Sequence, residues 1–353
     1  MQIFETAKEL LFMSQIEPTC AEKIMLPFHP KPFATMYHHL AFPIGILQGH
    51  TQFDLSPWLC SKYINCKFQM GENIMQRYNI AVDDPWFLND EIFDFQKVKL
   101  CQHTFFQLFG TYVTLLKKML ALGYYPNANY NEALLMKGAA PGSYRYHDFL
   151  LIGYDNAQSV FHSVGYLGSD HIHFFDIPFE IMEKAIRTLK TSCVELCFWK
   201  VKPEATFDFH IKEITEELQN YLHSTVPHNK QQKNYCYGLD AQTHLGNHFI
   251  SLSPGNQQRD RRYTRGFAEH KFFMRKRIEY LTERNYLSSR SALDHARVVE
   301  QIGNNIHLLA LKFYATSQHR LLEKMEKLVY QTVEIEQQYL SSVLLELTNG
   351  EKR

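Results

Sequence analysis

The stretch Tyr146-His147-Asp148-Phe149-Leu150-Leu151-Ile152-Gly153-Tyr154-Asp155 is the most informative part of this chain. It places a histidine just before an unbroken apolar run and closes on a Gly-Tyr-Asp sequence that is typical of a turn. An apolar run without alternation predicts a strand that is covered on both faces. The segment therefore predicts a sheet buried between two layers, with His147 at the entrance of one strand.

Further strand-like segments surround this one, at 124–126, 159–166, 171–177 and 194–201. Helical spacing precedes them over 37–47 and 112–122, and a third helix is predicted over 178–189. Because the strands follow one another closely and do not alternate with helices, the pattern predicts an α+β fold and not a doubly wound α/β sheet.

After Pro203 the strand pattern stops. The remaining sequence predicts helices at about 204–223, 237–250, 263–287, 291–317 and 319–348. The length of 353 residues is sufficient for two domains. We therefore expect an α+β domain over 1–203 followed by an all-helical domain over 204–353.

The composition excludes several classes of function. Lys plus Arg and Asp plus Glu both number 37, so the neutral chain has no overall attraction for nucleic acid, and it has no nucleic-acid-binding motif. No export signal is visible, and no apolar run approaches the roughly 20 residues that span a bilayer. Seven scattered cysteines indicate reduced thiols in a cytoplasmic protein. His171 and His173 share a strand face but lack the further ligands that zinc needs, so no metal site is expected.

The segment around His147 resembles the histidine strand of papain-like and bacteriocin-processing cysteine peptidases. The order of segments is more similar still to the N-terminal domain of the butirosin biosynthesis protein H family, and in the helical part 259–262, 268–271 and 277–281 extend this resemblance. That family transfers acyl groups from carrier-protein thioesters to amines beside nonribosomal peptide and antibiotic assembly lines. The resemblance implies a papain-like fold, an acyl or peptidyl carrier protein as partner and a small-molecule amine as acceptor. It implies no cofactor except the phosphopantetheine that the carrier brings.

The resemblance also implies a nucleophilic cysteine at the start of the first long helix, four residues before Ala41, where this chain has Tyr37 and no cysteine nearby. Three explanations remain open. The protein is an enzyme that uses His147 as a general base without a covalent intermediate, or it is an inactive scaffold or binding partner of an assembly-line protein. In the third, Cys60 or Cys66 enters the site by another path.

The predicted catalytic residues are His147 as the acid/base, Tyr37 and His38 at the mouth of the reacting centre, and His162 on the returning strand. Papain-like enzymes use a third polar group to orient the histidine, and the returning strand offers His162 or Ser163 where an Asp or Asn is expected. A plainer interpretation remains for each, namely a structural histidine at a strand end or solvent-facing polar residues at a helix start.

Tyr154, Lys271 and Arg275 are the predicted substrate-binding residues. Lys271 and Arg275 lie four residues apart within a basic run from 259 to 277, so they share a helix face. A local basic face in a neutral chain suits an acidic carrier protein. The alternative is a solvated helix face whose charges pair with neighbouring acidic residues of the same chain.

Overall fold

The computed structural model describes residues 2–3, 21–71, 77–80, 92–136, 138–140, 142–169, 171–191, 193–206, 209–226, 232–252 and 260–350. The chain divides into two compact units, residues 1–53 with 86–206 and residues 54–85 with 207–353. The predicted division after residue 203 differs from this one chiefly in 54–85. Those residues group with the C-terminal unit because Cys66, Phe68 and Tyr78 are buried in its core, a long-range relation that no local pattern encodes.

The elements are numbered in chain order. The described strands are β1 (Gln2–Ile3), β2 (Lys23–Met25), β3 (Cys66–Gln69), β4 (Arg77–Ile80), β5 (Phe93–Cys101), β6 (Tyr125–Asn131), β7 (Tyr146–Asp155), β8 (Val160–Gly165), β9 (His173–Pro178), β10 (Cys193–Val201) and β11 (Tyr235–Tyr237). The described helices are α1 (His38–Gly49), α2 (Ser56–Ser61), α3 (Gln102–Phe109), α4 (Tyr112–Ala121), α5 (Phe179–Arg187), α6 (Ile211–Leu222), α7 (Gly238–Ser251), α8 (Arg262–Glu283), α9 (Ser291–Thr316) and α10 (Arg320–Gly350).

The first unit is built on one sheet with the order β1-β5-β10-β6-β7-β8-β9, and β2 pairs with β7. Its described pairs are antiparallel except that of β1 with β5. One face packs against α3, α4 and α5 through residues such as Phe149 and Leu151. The alternate residues of β7, Leu150 and Ile152, are buried as well. The prediction of a strand covered on both faces is therefore confirmed.

Helix α1 lies against β6 and β7. His38 at its start contacts Asp148 of β7, and His50 just after its end contacts the Tyr125 hydroxyl of β6 at 3.2 Å. The loop before α1 passes close to the helix. A Cβ atom added to Gly45 would lie only 2.2 Å from the ring of Phe28 in this loop. The contacts of His38 and His50 hold the two ends of α1 against these interior strands of the sheet.

The second unit packs α2 and α6 to α10 around one core, together with a small sheet of the order β11-β3-β4. The helical C-terminal region is confirmed, and its predicted helices agree closely with α7 to α10. It is not all-helical, because β11 pairs with β3 from the 54–85 segment. Arg277 of α8 secures that segment, since its guanidinium donates to the carbonyl oxygens of Cys60 at 2.7 Å and Lys62 at 2.5 Å.

The fold is therefore α+β with a mainly helical C-terminal region, as the sequence predicts. Among the helices that the structure describes, none has the length and apolar character needed to cross a bilayer.

Candidate functional site

A histidine and a buried carboxylate meet at the start of α1. The Nδ1 atom of His38 lies 3.3 Å from Oδ1 of Asp148. The side chain of His38 is 26% exposed, whereas that of Asp148 is only 6% exposed, so a substrate can reach the imidazole but not the carboxylate. The position at a helix N-terminus favours the negative charge of Asp148.

A neighbouring strand holds Asp148 from the other side. Asn127 of β6 is buried, and its Nδ2 donates to Asp148 Oδ2 at 3.4 Å and to the carbonyl oxygen of Phe149 at 3.2 Å. The Tyr130 hydroxyl is buried without a hydrogen-bond partner among the described residues. Burial, and to a smaller extent Asp148, raises the pKa of Tyr130, so this hydroxyl stays protonated. Asp148 is thus a buried carboxyl group with one oxygen directed at His38.

A second imidazole lies beside the first. The ring centroids of His147 and His38 are 6.4 Å apart. Nδ1 of His147 lies 3.1 Å from the carbonyl oxygen of Asp148, so Nδ1 carries the hydrogen and Nε2 keeps a lone pair in the neutral ring. At the rim, the ring of Tyr37 stacks on His39 with centroids 5.2 Å apart. The structure therefore brings Tyr37, His38 and His147 together at the start of α1.

The surroundings of His38 favour the neutral form of its imidazole. Burial lowers the pKa of His38, while Asp148 raises it by a smaller amount and His147 lowers it further. The ring is therefore neutral near pH 7. Because Nδ1 faces a carboxylate, it carries the hydrogen, and Nε2 presents the lone pair. A positioned neutral imidazole of this kind is a general base.

His162 does not belong to this group, so the prediction that it orients the catalytic histidine is wrong. It pairs with Gly153 on the β7 ladder, about 20 Å from His147 at about 3.4 Å per residue. Its Nδ1 instead contacts Asp176 Oδ1 at 2.7 Å. This pair borders a pocket of about 480 Å³ whose lining is Met25, Leu26, Pro27, Phe28, Ile152, His162, Ser163, Phe174, Phe175 and Asp176.

Tyr154 is a core residue and not a substrate-binding one. Its side chain is 1% exposed, and its hydroxyl donates to the carbonyl oxygen of Ala21 at 3.3 Å. The ammonium of Lys117 lies 5.3 Å from the centre of its ring. The turn-like Gly-Tyr-Asp sequence is the end of β7, where burial continues through Asp155. The prediction for Tyr154 is therefore corrected.

The predicted basic docking face is also corrected. Lys271 is fully buried, and its Nζ lies 2.7 Å from Oε2 of an equally buried Glu336. Arg275 is 14% exposed and pairs with Glu279 at 2.7 Å and Glu300 at 2.8 Å. A carrier protein cannot reach the charge of Lys271, because it is buried. The charge of Arg275 is already neutralised by acidic residues of the same unit. Arg259, where the predicted face begins, lies outside the described residues.

Cys60 and Cys66 do not supply the missing nucleophile. Both belong to the second unit and are buried in its core. Burial raises the pKa of each thiol to about 12, so neither forms the thiolate that attacks a thioester. The explanation that one of them enters the His147 site by another path is therefore wrong.

Two residues of the site were missed, Asp148 and Asn127. The signal for Asp148 is a charged residue within an apolar buried strand, which must have a partner. The signal for Asn127 is the alternation of asparagines at 127, 129 and 131, which places polar groups on one face of a strand. The group that orients the histidine is Asp148 of β7, which Asn127 of β6 holds in place. It does not come from the returning strand β8.

No group of three or more potential metal ligands occurs among the residues that the structure describes. The sequence matches no model of a known protein family, and it matches no curated protein.

Proposed function

We propose that this chain transfers acyl groups from carrier-protein thioesters to a small-molecule amine, as an accessory enzyme in nonribosomal peptide or antibiotic biosynthesis. In this proposal the first unit is a papain-like domain that works without a nucleophilic cysteine. The observation that carries it is the contact of His38 with Asp148 at the start of α1, beside His147. The absence of a disulfide among the described cysteines fits a cytoplasmic setting.

The acceptor amine attacks the thioester carbonyl directly. Nε2 of His38 takes the amine proton as the C–N bond forms, and Asp148 stabilises the resulting imidazolium through Nδ1. The C–S bond then breaks, Nε2 of the His38 imidazolium gives its proton to the departing sulfur, and the phosphopantetheine leaves on the carrier as a thiol while His38 becomes neutral again. The positive end of the α1 dipole favours the negative charge that develops on the carbonyl oxygen.

The test follows amide formation from an acyl-loaded carrier protein and a panel of primary amines. We expect His38→Gln to lower the rate by about 10²–10⁴-fold, because the general base is lost. The matched control is His50→Gln, which changes a histidine just after the other end of α1 and should retain the rate. A His38→Gln variant that retains the wild-type rate would remove this proposal.

The pH profile tests the role of Asp148 as a positioning residue. Activity should fall as the pH drops through the pKa of His38, with a midpoint below the usual value of about 6.5. Asp148→Asn removes the contribution that raises this pKa, so the midpoint should move lower still. A midpoint that stays in place, with circular dichroism showing an intact fold, would mean that Asp148 does not act on His38.

A second candidate is binding without catalysis, as a scaffold or partner of an assembly-line protein. The apolar pocket beside His162 favours it, since about 480 Å³ is within the range of small-molecule sites. Here Phe174→Glu should weaken binding of the neutral dye Nile red at least about tenfold, because Phe174 is exposed at the pocket. Binding that survives His38→Gln, together with no amide product from the wild-type chain, would favour this candidate.

A further inference from the structure

Two cysteines face each other across the neighbouring strands β5 and β10 of the first unit. Cys101 is the last residue of β5 and Cys193 the first of β10, and the antiparallel ladder pairs them directly. Neither residue belongs to a disulfide in this structure. Directly paired antiparallel residues have Cα atoms about 4.5–5.5 Å apart, within the range of about 4.4–6.8 Å that disulfides span. The ladder register therefore places the two residues within the reach of a disulfide.

The ladder also places both side chains on the same face of the sheet. Lys97, Lys99 and Cys101 alternate along β5, opposite Glu195 and Cys193 of β10. Nζ of Lys97 lies 2.7 Å from Glu195 Oε1 and that of Lys99 3.8 Å from Oε2. Cross-strand neighbours on this face are thus in contact. The intervening residues of both strands pack into the core on the opposite face.

Exposure and hydrogen bonding favour Cys101 as the nucleophile of this pair. It is exposed and immediately precedes α3, and its Sγ lies 3.0 Å from the Thr104 hydroxyl. Hydrogen bonds from that hydroxyl and from backbone N–H groups lower the pKa of Cys101, which increases the nucleophilic thiolate. By contrast, burial raises the pKa of Cys197 on β10 to about 12. Cys101 is thus an activated thiol, and Cys193 is a second thiol directly opposite it on the ladder.

We propose that Cys101 and Cys193 form a reversible disulfide when the protein meets a hydroperoxide. The Cys101 thiolate attacks one peroxide oxygen, the O–O bond breaks, and a sulfenic acid and hydroxide result. Cys193 then attacks that sulfur, the S–S bond forms, and the sulfenic oxygen leaves as water. In total the two thiols lose two electrons and their two protons, and hydrogen peroxide is reduced to two molecules of water.

The test exposes the reduced full-length chain to hydrogen peroxide and then blocks remaining thiols with iodoacetamide. We expect the unlabelled oxidised chain to lose about 2 Da, and a non-reducing digest to contain a peptide that links Cys101 to Cys193. Dithiothreitol should return both residues to the labelled form. The proposal is overturned if iodoacetamide still labels both, if Cys101 ends as a sulfinic acid, or if it links to another cysteine.

Single variants separate the two steps. Cys193→Ser should leave a sulfenic acid on Cys101 that dimedone traps, whereas Cys101→Ser should take up no dimedone. The matched control is Cys236→Ser, a half-buried thiol of the second unit, which should form the Cys101–Cys193 link as the wild type does. Loss of the link in that control would contradict the assignment. The wild-type measurement needs no substitution, so a poorly folded variant does not affect it.

Discussion

Lys271 belongs to a charged network in the interior of the second unit. Its Nζ donates to Glu336 Oε2 at 2.7 Å and to the Tyr221 hydroxyl at 3.1 Å. Nε2 of Gln242 donates to the same carboxylate oxygen at 2.8 Å. All four side chains are fully buried. Burial lowers the pKa of Lys271, and Glu336 partly restores it, so the ammonium depends on this one carboxylate.

We expect Glu336→Ala to lower the free energy of unfolding by about 3–5 kcal/mol, because it leaves an unpaired buried ammonium. Urea unfolding followed by circular dichroism measures this change. The control Glu334→Ala removes an exposed carboxylate from the same helix and should change stability by less than about 0.5 kcal/mol. Replacing both partners, as Lys271→Met with Glu336→Leu, should recover most of the loss. Equal effects of the two alanine variants would contradict this interpretation.

The sequence could not distinguish Lys271 from the basic residues around it. Its partner Glu336 lies 65 residues away on another helix, and helical periodicity assigns a face only relative to the same helix. Asp148 differs in this respect. A carboxylate inside an apolar strand is unusual in itself, so its burial with a partner was predictable, although the identity of that partner was not.

Element boundaries were largely predictable because the pattern that sets them is local. Helix α1 begins at His38, one residue from the predicted start, and β7, β8 and β10 lie close to their predicted ranges. The pairing between strands was not predictable in the same way. The β7 ladder has a register irregularity between Leu151 and Gly153. On its other side β7 pairs with β6, which is the strand beside Asp148, and His162 pairs with Gly153 near the far end of β7.

The close passage of the preceding loop makes Gly49 of α1 intolerant of a side chain. A Cβ there would lie 2.6 Å from the backbone nitrogen of Phe28. Because a backbone atom cannot rotate away as a side chain can, we expect Gly49→Ala to lower the free energy of unfolding by about 1–3 kcal/mol. This corresponds to a fall in Tm of roughly 2–12 °C. Scanning calorimetry measures it.

The control for this prediction is Gly246→Ala in α7. A Cβ there would meet Val329 at 3.4 Å, an ordinary contact, and alanine favours a helix by about 1 kcal/mol over glycine. Its Tm should stay level or rise. A Gly49→Ala variant as stable as this control would show that the loop moves aside at little cost.

Across the whole molecule, the chain passes between the two units three times, at 53/54, 85/86 and 206/207. A chain that ends at residue 206 therefore retains 54–85 but lacks the helices that cover them. In the full chain Cys66, Phe68 and Tyr78 are buried in that core. No single cut in the chain separates the units.

We expect trypsin to cleave after Lys62 or Lys67 at least about tenfold faster in the shortened chain than in the full one, because local protection follows burial. Mass spectrometry of the digest identifies the bonds that are cut. Cleavage after Arg187 of α5 provides the control, since that helix lies within the first unit, and its rate should match in both chains. Equal rates after Lys62 and Lys67 would contradict the division into these units.

The same division sets an order of events during translation. Strands β3 and β4 leave the ribosome well before α7 and α8, against which they pack. At about 5–20 residues per second, the interval is on the order of ten seconds. During this time the nascent chain presents apolar strands whose cover has not yet been synthesised. This protein is therefore more prone to aggregate during its synthesis than after it has folded. Holdase chaperones that bind such strands should raise the yield of folded protein.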